Sequence, residues 1–292
     1  MKNFVGTSLF SSVLLLGSVS SFGNNSIKAI RDINKGVKEW PGQRGRIING
    51  QPATDGQFPY YIFIIIRGTT RTNQTSDKSY CGGSIISSIW AMTAGHCYEV
   101  GSRRERISYK LDAGMTVRGS PRQSTIVDQS NARRHPSYND NRLENDVALL
   151  KFSGLIFDTY VGSIDIAPTA WNTPDRYAGQ SVRVCGFGYT SNNGPISNIL
   201  YWITQTGTPI ATCRSAYTRI PSTCFCAQDS AGGSSICSGD SGGPMTMMLP
   251  GTQTPIQIGV VSFGSAGGCN TAPQGYTNVA AMYSWIYATM NS

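Results

Sequence analysis

Ser84-Ile85-Ile86-Ser87-Ser88-Ile89-Trp90-Ala91-Met92-Thr93-Ala94-Gly95-His96-Cys97 is an apolar run broken by small polar residues that ends on a histidine beside a cysteine. Runs this short, rich in Ile and Trp and bounded by turn formers, read as β-strands. Working outward, the same texture recurs at Tyr60 to Ile66, Asp146 to Phe152, Ser181 to Val184 and Ile256 to Ser262, with Gly, Pro, Asn and Ser clusters between. Many short strands with turn signals imply an all-β barrel or sandwich. Helical spacing is scarce before Ala280 to Met290, AAMYSWIYATM, which suits a closing amphipathic helix, with a last strand as the alternative. There is no internal repeat of the length that marks solenoids or propellers.

The amino-terminal end has another character. Residues 1–20 carry Lys2, the apolar Phe4 to Leu16 diluted by Gly and Ser, and the small residues Ser18-Val19-Ser20, the pattern of a cleaved signal peptide. Neither this run nor any other reaches the roughly 20 apolar residues of a membrane span, so no membrane association is expected. Residues 21–46 are polar, lack an apolar face and end in Trp40-Pro41-Gly42-Gln43-Arg44-Gly45-Arg46, which reads as a flexible activation propeptide ahead of a domain at 47–292. Seven of the 24 Lys and Arg lie within residues 1–46 against only Asp32 and Glu39, so 17 basic and 14 acidic residues remain, a net of +3. Most of the chain's formal charge of +8 is therefore precursor charge. Arg103-Arg104-Glu105-Arg106 and Arg133-Arg134 read as solvated loop charges, and no nucleic-acid partner is expected.

All eight cysteines follow Arg46. An even count behind a signal peptide implies a disulfide framework in a secreted, extracellular protein. Metal binding is not expected, because Cys224 and Cys226 alone are closely spaced and the two histidines complete no ligand cluster. Calcium is not expected either, since Arg106 to Val127 has one acid, Asp112. No cofactor is implied. Asn73-Gln74-Thr75 and Asn24-Asn25-Ser26 are glycosylation sequons.

With two histidines, imidazole chemistry has two candidates. His135, in Arg134-His135-Pro136, reads as an exposed loop residue, while His96 follows a strand and is tied by Cys97. A serine hydroxyl becomes a nucleophile at neutral pH only beside a base. Ser241 has the strongest local case, since Gly239-Asp240-Ser241-Gly242-Gly243-Pro244 can fold into a turn that admits a substrate and aims two N–H groups, those of Gly239 and Ser241, at one oxyanion. A carboxylate that fixes the imidazole tautomer completes such a set. Asp146 fits, opening the apolar Val147-Ala148-Leu149-Leu150 where an unpartnered acid is costly.

Thr93-Ala94-Gly95-His96-Cys97, Asp146 to Leu150, Gly239 to Pro244 and Arg46-Ile47-Ile48-Asn49-Gly50 together resemble the chymotrypsin/trypsin family of serine proteases over residues 47–292. The chain order His96, Asp146, Ser241 is also that family's, and not that of subtilisin or the α/β-hydrolases. The resemblance implies two packed six-stranded antiparallel β-barrels, over about 47–160 and 161–278, with a terminal helix over about 280–290. It implies further that Ser262 supports Asp146, that the Gly264 backbone pairs with extended substrate, and that Phe263 and Phe187 keep aromatic walls where the family carries tryptophan. Cutting after Arg46 would free the Ile47 ammonium to pair with Asp240 and order the oxyanion hole.

Family matching pairs Cys81 with Cys97, Cys213 with Cys226 and Cys237 with Cys269; Cys185 and Cys224, left over, are paired by elimination. It sets Ser235 at the floor of the specificity pocket, where a neutral residue disfavours Lys or Arg before the cut. Gln274 falls in the pocket wall or turns away to solvent. Hydrophobic or polar uncharged residues are therefore expected before the cut. The expected partners are protein or peptide substrates, a separate trypsin-like activator for Arg46, and protein inhibitors. Val260 to Gly264 and the Ser265 to Cys269 loop are similar to arthropod chymotrypsin and collagenase-like digestive enzymes. A non-catalytic homologue would commonly lack a triad residue, and a cascade protease would bring extra modules. An α/β esterase would carry alternating helices.

Overall fold

The computed structural model describes residues 26–29, 47–99, 105–189 and 195–292. The expected signal peptide, Asn24, Arg103-Arg104 and most of the propeptide with Arg46 lie outside the described residues. In chain order the first elements are β1 (Ile27–Ala29), β2 (Gln51–Pro52), β3 (Tyr61–Thr70), β4 (Thr75–Ser87), β5 (Trp90–Thr93), β6 (Glu105–Ala113), β7 (Gln123–Asp128), β8 (Ala132–Arg134) and β9 (Ala148–Lys151). There follow β10 (Asp165–Ile166), β11 (Ser181–Gly186), β12 (Tyr201–Thr208), α1 (Ile210–Ala216), β13 (Cys224–Gln228), β14 (Pro244–Met248), β15 (Pro255–Ser265), β16 (Gln274–Asn278) and α2 (Val279–Met290).

Tyr61 to Ile66 is apolar without interruption because both faces of β3 are covered. Ile62, Ile64 and Ile66 enter the core of the first sheet. Tyr61 and Phe63 face the other way, into a cluster with Phe58, Cys185, Phe187 and Leu200 that joins the two halves of the chain. The first sheet runs β7-β6-β3-β4-β5-β9-β8. Its ends, β7 and β8, are one stretch of chain interrupted by a single 3-10 turn at Gln129–Asn131. In the second sheet β15-β14-β11-β12-β13-β16 closes on itself through β15–β16 pairing, around Val182, Val184, Ile258, Val261 and Tyr276. Two barrels are thus met by one closed ring and one half-barrel whose pairing path is broken where its last strand bends.

Three short strands join the second sheet from elsewhere. β2 pairs with β12, β10 runs parallel to β15, and β1 runs antiparallel to β15. The last of these differs from the flexible propeptide expected: a three-residue strand has no periodicity to read and exists because the edge of β15 supplies its partner. α2 settles the closing segment as helix. The Asn278 side chain caps it by accepting the Ala280 N–H at 3.1 Å, and Val279, Met282 and Ile286 pack into the core of the first sheet. The shorter α1 has no capping side chain and one buried side chain, Cys213, so the sequence carried little sign of it.

The bridges Cys81–Cys97, Cys213–Cys226 and Cys237–Cys269 are formed. Cys185 and Cys224 are not bridged to each other; both are buried free thiols. Cys185 sits on β11 opposite Trp202 in the cluster between the halves, and Cys224 sits on β13 opposite Thr277 in a separate cluster with Tyr217 and Phe263. A bond between them would require both to leave their packing.

Candidate active site

β5 ends at Thr93, and Gly95–Cys97 make one buried 3-10 turn held by Cys81–Cys97. This turn aims His96 at Asp146, which lies just ahead of β9. The His96 backbone N–H donates to Asp146 Oδ1 at 2.8 Å, and His96 Nδ1 lies 2.8 Å from Oδ2. Ser262, on β15, donates its hydroxyl to the same Oδ2 at 2.5 Å. Thr277, on β16, fixes the backbone by donating to the Asp146 carbonyl at 2.9 Å. Burial alone would push the Asp146 carboxyl up, but the charge and hydrogen bonds of His96, the Ser262 hydroxyl and the His96 N–H outweigh it, and the pKa is lowered.

The Ser241 turn packs against this arrangement. Gly239 and Gly242 have φ of 95° and 79°, in the left-handed region that a side chain disfavours. A Cβ on Gly242 would lie 2.1 Å from Thr93 Oγ1 and 2.9 Å from the Ala94 nitrogen, so the turn rests on the residues that lead into His96. Gly82 ties both sides: its N–H donates to the Ser241 carbonyl at 2.7 Å, and its carbonyl accepts from Thr93 Oγ1 at 2.8 Å. Within the turn Asp240, Gly242 and Gly243 give their N–H groups to backbone acceptors, whereas among the described residues those of Gly239 and Ser241 have none. His96 is 1% exposed and Ser241 is fully buried.

Asp240 points away from Ser241. Its carboxylate accepts from the Gly188 N–H at 2.8 Å and the Cys237 N–H at 2.9 Å. Burial raises its pKa to about 7, with the two N–H groups offsetting part of the effect. No cation pairs with it among the described residues. Ile47 is fully buried in the core that holds Ile236 and Cys237, and Ser235 donates its N–H to the Ile48 carbonyl at 3.2 Å. The first residues after Arg46 thus dock beside the stretch leading to Asp240.

Ser235 and Gln274 converge as well. The Ser235 hydroxyl and Gln274 Nε2, the latter at 3.1 Å, both donate to the Cys269 carbonyl. Gln274 Oε1 accepts from Gln205 Nε2 at 2.5 Å, and Gln205 Oε1 from the Tyr276 hydroxyl at 2.6 Å. Gln274 is 2% exposed, so it faces inward and the alternative of a solvent-facing side chain falls. Gln205, Tyr276 and Thr277 escaped the sequence reading, because single polar residues in strands look like ordinary solvent-facing positions.

Phe263 is buried edge-on to Tyr217, ring centroids 5.6 Å apart, with Gly264 next along β15. Phe187 differs from its expected place in a substrate wall: it packs between Tyr61 and Phe63 in the cluster between the halves. His135 is half-buried rather than exposed, its ring 4.9 Å from that of Trp285, and burial lowers its pKa. The described residues hold no group of His, Cys, Asp or Glu arranged to bind a metal, and no described helix is long and apolar enough to cross a membrane.

An imidazole held by a buried carboxylate, with a glycine-framed serine turn packed on its approach, is the arrangement of a serine hydrolase. Comparison narrows the class. The profile of the Trypsin family matches residues 47–286. Serine protease 1 of Drosophila melanogaster is 30% identical over 244 residues, 83% of this chain and 85% of its own length. Trypsin-1 of Astacus astacus is 32% identical over 250 residues, 83% of this chain and 99% of its own. The solved structure of HL collagenase superposes with a TM-score of 0.68 at 26% identity, covering 84% of this chain and 99% of that one. The chain belongs to the trypsin family of serine proteases, and it is a serine endopeptidase acting on protein substrates.

Proposed function

We propose that the chain is the secreted precursor of an endopeptidase in which Ser241, His96 and Asp146 form the catalytic triad. Ser241 Oγ attacks the substrate carbonyl while His96 Nε2 takes its proton. The resulting oxyanion accepts the N–H groups of Gly239 and Ser241, each worth about 3 to 4 kcal/mol to such an intermediate. Protonated His96 then gives its proton to the leaving amine, and water attacks the acyl-enzyme by the same route in reverse. Asp146 keeps Nδ1 protonated and steadies the imidazolium. The observation that carries this reading is the His96–Asp146–Ser262 chain at 2.8 and 2.5 Å, because it holds the imidazole in one tautomer with Nδ1 occupied.

Activation follows from Asp240. A buried carboxylate without a cation is costly, and an ammonium released by cutting after Arg46 would neutralise it. Ile47, docked beside Ile236 and Cys237, is that ammonium's source. Specificity follows from Ser235 and Gln274, whose network with Gln205 and Tyr276 contains no charge. A Lys or Arg side chain would be buried there without a counter-ion, so the residue before the cut is hydrophobic or polar and uncharged. Such an enzyme does not process its own Arg46, and a separate trypsin-like protease is the activator; protein protease inhibitors are further partners. The three disulfides and the leader-like residues 1–20 support export to the extracellular space.

The test is to cut the precursor with trypsin and profile it on a peptide library beside Ser241→Ala. Turnover that vanishes with Ser241, with no basic residue favoured before the cut, is expected. Dominant Lys or Arg preference would defeat the pocket assignment, and undiminished Ser241→Ala activity the triad. Ile47→Gly should fold and be cut yet barely turn over.

A further inference from the structure

The edge of β15 at Gly264, whose backbone the family resemblance assigns to extended substrate, is already taken. β1 lies along it antiparallel, with Ile27 opposite Ser265, Lys28 opposite Gly264 and Ala29 opposite Phe263. The Ala266 N–H donates to the Ser26 carbonyl at 3.4 Å, which fixes the phase of the ladder. Antiparallel strands alternate hydrogen-bonded and non-bonded pairs, so the next bonded pair is Lys28 with Gly264. Lys28 therefore uses the backbone donor and acceptor assigned to an extended substrate. Side chains add to the contact: Ala29 is 6% exposed among Phe263, Tyr217 and Leu143, and Ile27 packs against the same cluster. His96 and Ser241, at the end of this edge, are closed to solvent.

We propose that Ile27–Ala29 is a built-in occupant of the substrate edge, so that the precursor is held inactive by its own strand as well as by its unfinished amino terminus. The inference rests on β15 being the substrate strand. Strand addition draws its affinity from main-chain hydrogen bonds, with side-chain pockets adding selectivity, and this is the mode by which a peptide substrate would bind here. Tethering makes a three-residue strand sufficient, because an occupant joined to its site has an effective concentration on the order of millimolar. Cutting after Arg46 removes that advantage, and Ile27–Ala29 becomes a separate peptide that diffuses away.

Amide hydrogen exchange on the uncut full-length precursor tests this without calling on activity. Three proteins are compared: wild type, Lys28→Ala, which keeps the backbone donor, and Lys28→Pro, which removes it. Wild type and Lys28→Ala should protect the Gly264 and Ala266 amides equally, and Lys28→Pro should lose about tenfold or more of that protection there while the β3 and β6 amides stay unchanged. Equal protection in all three, or none in wild type, would overturn the proposal. The trypsin-cut enzyme, assayed separately, reports on the triad and substrate strand: a cut enzyme without turnover would sink that reading and leave the exchange result standing.

Discussion

Ser262 touches only Asp146 in the network, yet it holds one of the two carboxylate oxygens that orient His96. A hydrogen bond to a charged group contributes about 1.5 to 3 kcal/mol. If it acts in the transition state, Ser262→Ala should lower kcat by about 10- to 100-fold. KM should stay near wild type, and steady-state kinetics on a small peptide substrate check both. Asp240 gives a pH signature. Its pKa is 3.8 in the unfolded chain and about 7 in the fold, so the folded precursor binds more protons between those values. The stability it contributes is full below about 3.8 and lost as pH rises through about 7. Urea unfolding of the precursor should show this loss, and Asp240→Asn should flatten it. The pairing of His96 with Asp146 was readable because chemistry narrows it: the chain has two histidines, and a carboxylate that opens an apolar strand needs a reason to be there. Thr277 and Gln205 were not, since their roles come from strands that only the fold brings together.

Elements of sufficient length declared themselves. β3 and β15 carry enough apolar residues for their pattern to be read directly, whereas α2 was read as helix with a last strand as the alternative until its cap and packing decided it. β1 and α1 are short and take their conformation from a neighbour, β15 in one case and the Cys213–Cys226 bridge in the other. The leftover cysteines failed for a related reason: even counting suggests a bond, but β11 and β13 carry Cys185 and Cys224 into different clusters. Burial raises both thiols well above their ordinary range, and the thiolate is the reactive form. Alkylation at neutral pH should therefore label no cysteine in the native protein and two in guanidinium, a count that mass spectrometry of the intact chain gives directly. Native labelling of either would contradict this packing.

Across the whole molecule, the site exists only where the halves meet. His96 and Asp146 come from the half-barrel, Ser241, Ser262 and Thr277 from the closed ring. The Gly82 N–H to the Ser241 carbonyl and the Ser84 hydroxyl to Gln257 Oε1, at 2.6 Å, cross the boundary, as does the aromatic cluster of Tyr61, Phe63 and Phe187. Strand punctuation foretold an all-β fold, and the family resemblance implied its two halves; that one of them bends open at residues 129–131 depended on pairings invisible in composition. β1 has a consequence in time as well as in space. If cutting after Arg46 activates the chain as proposed, each scission releases one equivalent of a competitor for the site it completes. In a concentrated sample, turnover per new Ile47 amino terminus should therefore fall as cutting proceeds, and progress curves run alongside amino-terminal sequencing should reveal that shortfall and its disappearance on dilution.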